Sequence, residues 1–291
     1  MSHTPQLSLG TVQFGMPYGI TNHAGQVPEA EVCRILALAA ASGIDLFDTA
    51  QGYGTAETVL GRCWPKDAPR RLISKLPAGA PRQSWEEKLL NSLQRLQSSH
   101  LDGFLLHRAS DLLSPDGEAL LSWLEGLRHR GLVERIGVSI YDAYELEGLP
   151  LDRLQIVQLP LSIYDQRLIR NGTVGRLQDL GIAVHVRSVF LQGLLLQSPQ
   201  CWATHLSPAL RRHHERWLEC LNQEAINPLS GALGFIKVCE GIEAVLVGVL
   251  SVNELVEVLH AWNQPNSVPA DLVRSWAWDN HADLDPRCWP N

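Results

Sequence analysis

The chain has 291 residues, 45% of them hydrophobic and 19% charged, enough to bury a full core in one large domain or two small ones. Net charge is −7, with acids and bases interspersed and no block of like charge, which argues against a nucleic-acid or polybasic membrane surface. No apolar segment reaches the roughly 20 residues of a membrane span, and the N-terminal "MSHTPQLSLG" lacks the basic and apolar regions of a signal peptide.

Short β-type runs alternate with helical patterns along the chain. The first run is "LSLGTVQF" (7–14), followed by a stripe of Val32, Ile35, Leu36, Ala39 and Ala40 at helical spacing. Next come "IDLFDT" and "RLISKL", then a second stripe of Leu89, Leu93 and Leu96. "LDGFLLH" precedes a third stripe of Leu120, Trp123, Leu124 and Leu127. "RIGVSI", "IVQLPLS", "IAVHVRSV" and "AVLVGV" complete a set of eight. They are continuously apolar rather than alternating, as parallel strands covered on both faces are. Gly43, Gly131 and Gly181 stand where a helical pattern stops and a strand pattern starts, the place of a C-terminal cap.

Eight strand–helix units predict a closed (β/α)8 TIM barrel. An open doubly wound sheet is the competing architecture, but "LGTVQFGMPYG" after the first strand has its glycines at the wrong offsets for G-x-G-x-x-G. The expectation is one domain over residues 1–291 with a tail from about 263. Six cysteines (Cys33, Cys63, Cys201, Cys220, Cys239, Cys288) are scattered without a C-x-x-C pair. That spacing predicts reduced thiols and a cytoplasmic location rather than a disulfide framework or a metal site.

Chemistry in such barrels collects at the C-terminal strand ends. There the second, third and fourth strands carry Asp48, Lys75 and His107, with Tyr53 in the loop after Asp48. Singly, each has a plainer explanation: a cap, an ion pair, a core histidine, a loop aromatic. Together they favour catalysis.

The segments "LGTVQFG", "FDTAQGYG", "SKL", "LLH", "IGVS", "VQLPLSIYDQR" and "VLVGVLSVNEL" make the sequence resemble the aldo-keto reductase superfamily along nearly its whole length. Asp48, Tyr53, Lys75 and His107 match that family's catalytic tetrad in order and approximate spacing. The resemblance implies an NAD(P)H-dependent carbonyl reductase acting on a small molecule. Tyr53 would be its general acid/base, its pKa lowered from about 10 by Lys75, which Asp48 keeps charged. His107 would orient the carbonyl oxygen.

The resemblance also implies a cofactor bed of Gly10, Thr11, Ser139, Gln158, Arg187, Ser188, Gly248, Ser251 and Glu257, with Tyr18 and Phe190 lining the substrate pocket. Three departures bear on that bed. Ile140 stands where the family has an Asn that holds the nicotinamide amide. Arg187 replaces a stacking Tyr, with a nicotinamide face, a phosphate or an acidic substrate as its partner. Gly248 and Glu254 stand at places where the family commonly has a Lys and an Arg for the 2′-phosphate, so NAD(H) is as plausible a cofactor as NADP(H).

Trp276, Trp278 and Trp289 are expected to seal the barrel, and "HLSPALRRHHERW", with His213 and His214, to be a solvated face. Two other functions compete with reduction. One is a Schiff-base lyase using Lys75; the other is a cofactor-binding regulatory subunit with vestigial turnover.

Overall fold

The structure, a computed structural model, describes residues 4–202, 206–265 and 275–289. Eight parallel strands close into a barrel in chain order: β1 (Gln6–Gly10), β2 (Leu46–Asp48), β3 (Arg71–Leu76), β4 (Leu101–Leu106), β5 (Val133–Ser139), β6 (Ile156–Pro160), β7 (Ala183–Arg187) and β8 (Ala244–Val247). Closure is by β8 on β1, with Leu9 opposite Val247. The expected (β/α)8 TIM barrel is the observed fold, and each of the eight predicted runs contains a strand.

The outer layer comprises α2 (Glu29–Ala41), α3 (Ala56–Cys63), α4 (Trp85–Leu96), α5 (Gly117–His129), α7 (Thr173–Asp179), α8 (Pro208–Gln223), α9 (Pro228–Lys237) and α10 (Val252–Asn263). Two short helices sit above the strand ends, α1 (Val12–Gly15) and α6 (Arg167–Arg170). The predicted stripes face inward: Val32, Ile35, Leu36 and Ala39 on α2, Leu89, Leu93 and Leu96 on α4, and Leu120, Leu124 and Leu127 on α5 are all buried. Gly43, Gly131 and Gly181 have φ of 78°, 69° and 70°, the left-handed turn that lets each helix end stop and reverse into the next strand.

Apolar packing fills both sides of the sheet. Leu46, Ile73, Leu105, Ile156 and Ala244 form a cluster of their own, one residue from each of five strands. The larger cluster lies between strands and helices. At the N-terminal strand ends, Arg71 pairs with Asp45, and Arg135 and His185 both reach Glu243. At this floor each of these charges therefore has a partner of opposite sign.

Four expectations change. Strand β1 stops at Gly10, because Val12–Gly15 turns into α1 instead of extending the run. Between β5 and β6 there are only two 3-10 turns, Ala143–Leu146 and Leu151–Arg153; Gly148 and Pro150 interrupt a segment too short for a packed helix. His213 and His214 are buried rather than solvated. Aromatic rings cover both: His213 meets Tyr164, Trp276 and Trp278, and His214 meets Tyr164, Trp202 and Trp217. Finally, Cys33 on α2 and Cys63 on α3 form a disulfide, since the two packed helices bring their Cα atoms to 4.5 Å. Cysteine usage therefore no longer points to a reducing compartment. Among the described residues no helix is long and apolar enough to cross a membrane. Of the predicted tail, residues 266–274 and 290–291 lie outside the described residues.

Candidate active site

Asp48 is the last residue of β2, Lys75 lies near the end of β3, and His107 follows β4 directly. Tyr53 is carried by the β2–α3 loop, which is fixed by backbone contact with α1. A Cβ on Gly15 would stand 1.8 Å from the Tyr53 carbonyl oxygen and 2.3 Å from the Ala56 nitrogen. Only glycine allows that approach, and the Thr55 N–H then donates to the Gly15 carbonyl at 3.2 Å. From behind, buried Glu57 on α3 accepts from Ser74 on β3 and from Ser92 and Arg95 on α4. That network locks α3 and α4 to the strand that carries Lys75.

All three ammonium donors of Lys75 are spent: on Asp48 Oδ1 at 2.7 Å, Asp48 Oδ2 at 2.6 Å and the Thr49 carbonyl at 2.9 Å. Gln158 donates a further bond to Asp48 Oδ1 at 2.7 Å. The ammonium lies 5.2 Å from the centre of the Tyr53 ring, and the His107 imidazole meets that ring edge-on with centres 5.8 Å apart. The four tetrad candidates thus stand together.

Their electrostatics differ from expectation. Burial, and then the Asp48 charge, push the Tyr53 phenol well above its ordinary range, with Arg187 pulling the other way. The expected lowering by Lys75 does not dominate, because that ammonium is saturated by Asp48 and its charge is offset in direct contact. Burial lowers Lys75 itself, against the pull of Asp48. His107 is lowered to about 4, by burial first and then by Lys75, so its imidazole is neutral at neutral pH.

Tyr53, His107 and Asp48 line a cavity of about 560 Å³. Its wall also includes Gly10, Thr11, Ser139, Gln158, Arg187, Ser188, Gly248, Glu254, Glu257, Tyr18 and Phe190. Nearly every predicted cofactor and pocket residue is therefore on one surface. Ser251 is not on that surface; its hydroxyl caps α10 by accepting from the Glu254 N–H. Thr11 lines the cavity, yet its hydroxyl donates to the Asp48 carbonyl. Lys75 lines none of it and is fully buried with no donor to spare, which speaks against Schiff-base chemistry. Trp276, Trp278 and Trp289 are not among the described lining residues and pack against the hydrophobic core instead.

Some members of this surface were not foreseen. Tyr141 carries the Arg187 guanidinium 3.9 Å from its ring centre. Gln192 ties the β7 loop to the β1 loop, accepting from Ile20 N–H through its side chain and from Thr21 through its carbonyl. Such long-range pairs leave no local pattern to read. The cavity suits a dinucleotide by size. It also holds an orphan: Gln13 Oε1 is buried without a partner in the lining beside Gly248. A ligand donor there would satisfy it.

The loop after β8 is already occupied by carboxylates. Glu254 accepts from the Leu250 N–H at 2.7 Å, and Glu31 of α2 accepts from the Val252 N–H at 2.7 Å.

The model of the aldo/keto reductase family matches residues 6–271. Among solved structures, the holo aldo-keto reductase AKR11C1 from Bacillus halodurans superposes with a TM-score of 0.75 at 19% identity, covering 95% of this chain and 94% of that one. An aldo-keto reductase from Klebsiella pneumoniae in complex with NADPH gives 0.71 at 20% identity, covering 97% and 95%. Another from Klebsiella pneumoniae, in complex with NADP and acetate, gives 0.71 at 19%, again covering 97% and 95%. With the family match spanning nearly the whole barrel, the chain belongs to the aldo/keto reductase family and is an oxidoreductase.

Proposed function

We propose that this oxidoreductase reduces an aldehyde or ketone to its alcohol, with Tyr53 as proton donor. The observation that carries this reading is the gathering of Tyr53, His107 and the Asp48–Lys75 pair against a dinucleotide-sized cavity. The cofactor is NADPH or NADH, as the family uses; the two Klebsiella pneumoniae relatives were crystallised with NADPH and with NADP. When bound, the reduced nicotinamide supplies the hydride, which no side chain can. Ser139 and Gln158 would hold its carboxamide; one Gln158 N–H is given to Asp48, which leaves its amide oxygen and second N–H to offer.

His107, neutral at working pH, donates a hydrogen bond that orients the substrate carbonyl oxygen. As the carbonyl carbon is reduced, the C–O π electrons move to that oxygen and Tyr53 gives it the phenolic proton. The phenolate left behind has the Lys75 ammonium beneath its ring, and a solvent proton restores it. A phenol held above its ordinary range stays protonated at neutral pH. The proton is therefore present for reduction but held more tightly than in a free phenol, so its transfer follows the build-up of negative charge on the carbonyl oxygen, and the reverse oxidation needs the scarce phenolate.

Tyr53→Phe is expected to lower kcat by about 10²–10⁴-fold, while the dissociation constant for reduced cofactor, read from nicotinamide fluorescence, stays within about threefold. Aldehyde reduction at the parent rate in that variant would overturn the assignment.

A further inference from the structure

Charge in the cavity wall is unevenly matched. Among the described residues its acids are Asp48, Glu254 and Glu257, and its one Lys or Arg is Arg187. Asp48 is neutralised in contact by Lys75, and Glu254 is engaged by the Leu250 N–H. Among the described residues no carboxylate is in contact with Arg187. It donates to the Ile140 carbonyl at 2.9 Å and to the Ser188 hydroxyl at 3.3 Å, and it lies over Tyr141.

The guanidinium is nonetheless firmly placed. Tyr141 carries a second guanidinium, Arg287, 3.8 Å from its ring centre, and Arg287 is anchored to Asp285 in a two-pronged pair. The platform under Arg187 is thus fixed from the C-terminal segment. Two hydrogen bonds leave most of its five N–H donors unspent, in a partly buried wall where an uncompensated cation is costly. Its charge reaches the reacting end, lowering Tyr53 and His107 alike. A preorganised guanidinium fork with spare donors and no counter-charge is a receptor for a carboxylate or phosphate.

We propose that Arg187 grips the anionic group of the substrate, so that the preferred substrates are carbonyl compounds bearing a carboxylate or phosphate. This rests on the reductase reading above and names the substrate class for it. The anion lies on Arg187 while the carbonyl oxygen meets Tyr53 and His107. Binding through a charged hydrogen-bonded fork belongs to the ground state as well as the transition state, so the preference falls mainly in KM.

The test compares matched aldehydes at saturating reduced cofactor: succinic semialdehyde against butanal, and 4-carboxybenzaldehyde against benzaldehyde. In the wild type, kcat/KM for the acid is expected to exceed that for its neutral partner by about 10–100-fold, the size of a charge-assisted hydrogen bond. Arg187→Gln is expected to bring that ratio close to one, and Arg187→Lys to restore part of it. A ratio is unaffected by a general loss of activity, and the wild-type ratio needs no variant to fold.

An acid-to-neutral ratio near or below one in the wild type overturns the proposal. So does an unchanged ratio in Arg187→Gln accompanied by a tenfold weaker cofactor, which would give the cation to a cofactor phosphate. If the wild type turns over no aldehyde, the reductase reading fails by itself. The anion site is then read by calorimetry with benzoate and the cofactor-loaded protein: binding lost in Arg187→Gln upholds the site, and no binding in the wild type removes it.

Discussion

Burying the Lys75 ammonium completely would cost several kcal/mol if it stood alone. It is tolerable here because Asp48 supplies both carboxylate oxygens and Thr49 a carbonyl. A pair of this kind has a diagnostic mutational signature. Asp48→Asn strands a buried cation and is expected to lower unfolding free energy by about 3 kcal/mol. Asp48→Asn combined with Lys75→Met removes the cation too, and should recover most of that loss. Neither variant should recover turnover, since both take the ammonium or its anchor from beneath Tyr53. Urea denaturation and single-turnover rates read the two quantities separately. A double variant as unstable as Asp48→Asn would mean the stability arises elsewhere, and one with parent activity would remove the pair from the mechanism. At this scale the sequence was informative about position and misleading about acidity. Asp48, Lys75 and His107 were legible because strand ends are where a barrel exposes side chains, whereas the Tyr53 phenol rises because burial and Asp48 outweigh an ammonium already spent.

Between strand and helix, the β8–α10 loop decides how much negative charge a cofactor can bring. Barrels of this class often grip phosphates with the loops after strands 7 and 8 and a following helix N-terminus. Here the Leu250 and Val252 N–H groups are taken by Glu254 and Glu31. The Val252 N–H bond, with help from Arg34, also lowers Glu31, keeping it ionised. A carboxylate about 5 Å from an added phosphate costs roughly 3 kcal/mol per unit charge at an effective dielectric near 20, less after solvent screening. NADH should therefore bind at least as tightly as NADPH. Glu254→Gln keeps an acceptor for Leu250 while removing the charge, and is expected to improve NADPH over NADH by about tenfold in fluorescence titration, equivalent to about 1.4 kcal/mol. An unchanged ratio would show that the 2′-phosphate lies away from Glu254. Elements were the most legible level of this fold: apolar runs of strand length, helical stripes and cap glycines all mark themselves locally. Most of the failures share one cause. The β1 overrun, the burial of His213 and His214, and the Cys33–Cys63 bond each depend on a packing partner distant in sequence, whereas the helix missing before β6 follows locally from Gly148 and Pro150.

For the molecule as a whole, the barrel separates its polar work by end. The C-terminal rim holds groups available to ligands, and the floor holds charges matched to one another. Glu243 is the hub of the floor, accepting from His185 at 2.9 Å and Arg135 at 2.7 Å. The His185 hydrogen bond first, and then Arg135, hold its carboxyl down at about 2, against burial. Its folded pKa thus lies below the unfolded value near 4.5, so folded protein binds fewer protons than unfolded protein between the two. The stability it contributes is fully present above about 4.5 and is lost as pH falls towards 2. With the Glu243 side chain 42% exposed, solvent screening limits this to roughly 1 kcal/mol. Asp45 adds in the same direction, since Arg71 outweighs the upward push of its burial. Urea midpoints measured from pH 7 to pH 2.5 should be flat at first and then fall steadily below about 4.5. Glu243→Gln should start slightly lower at pH 7 and fall less steeply, so that the two curves converge in acid. Parallel curves over the whole range would mean that this carboxylate has the same pKa folded and unfolded, and that the floor is held by its apolar layer alone.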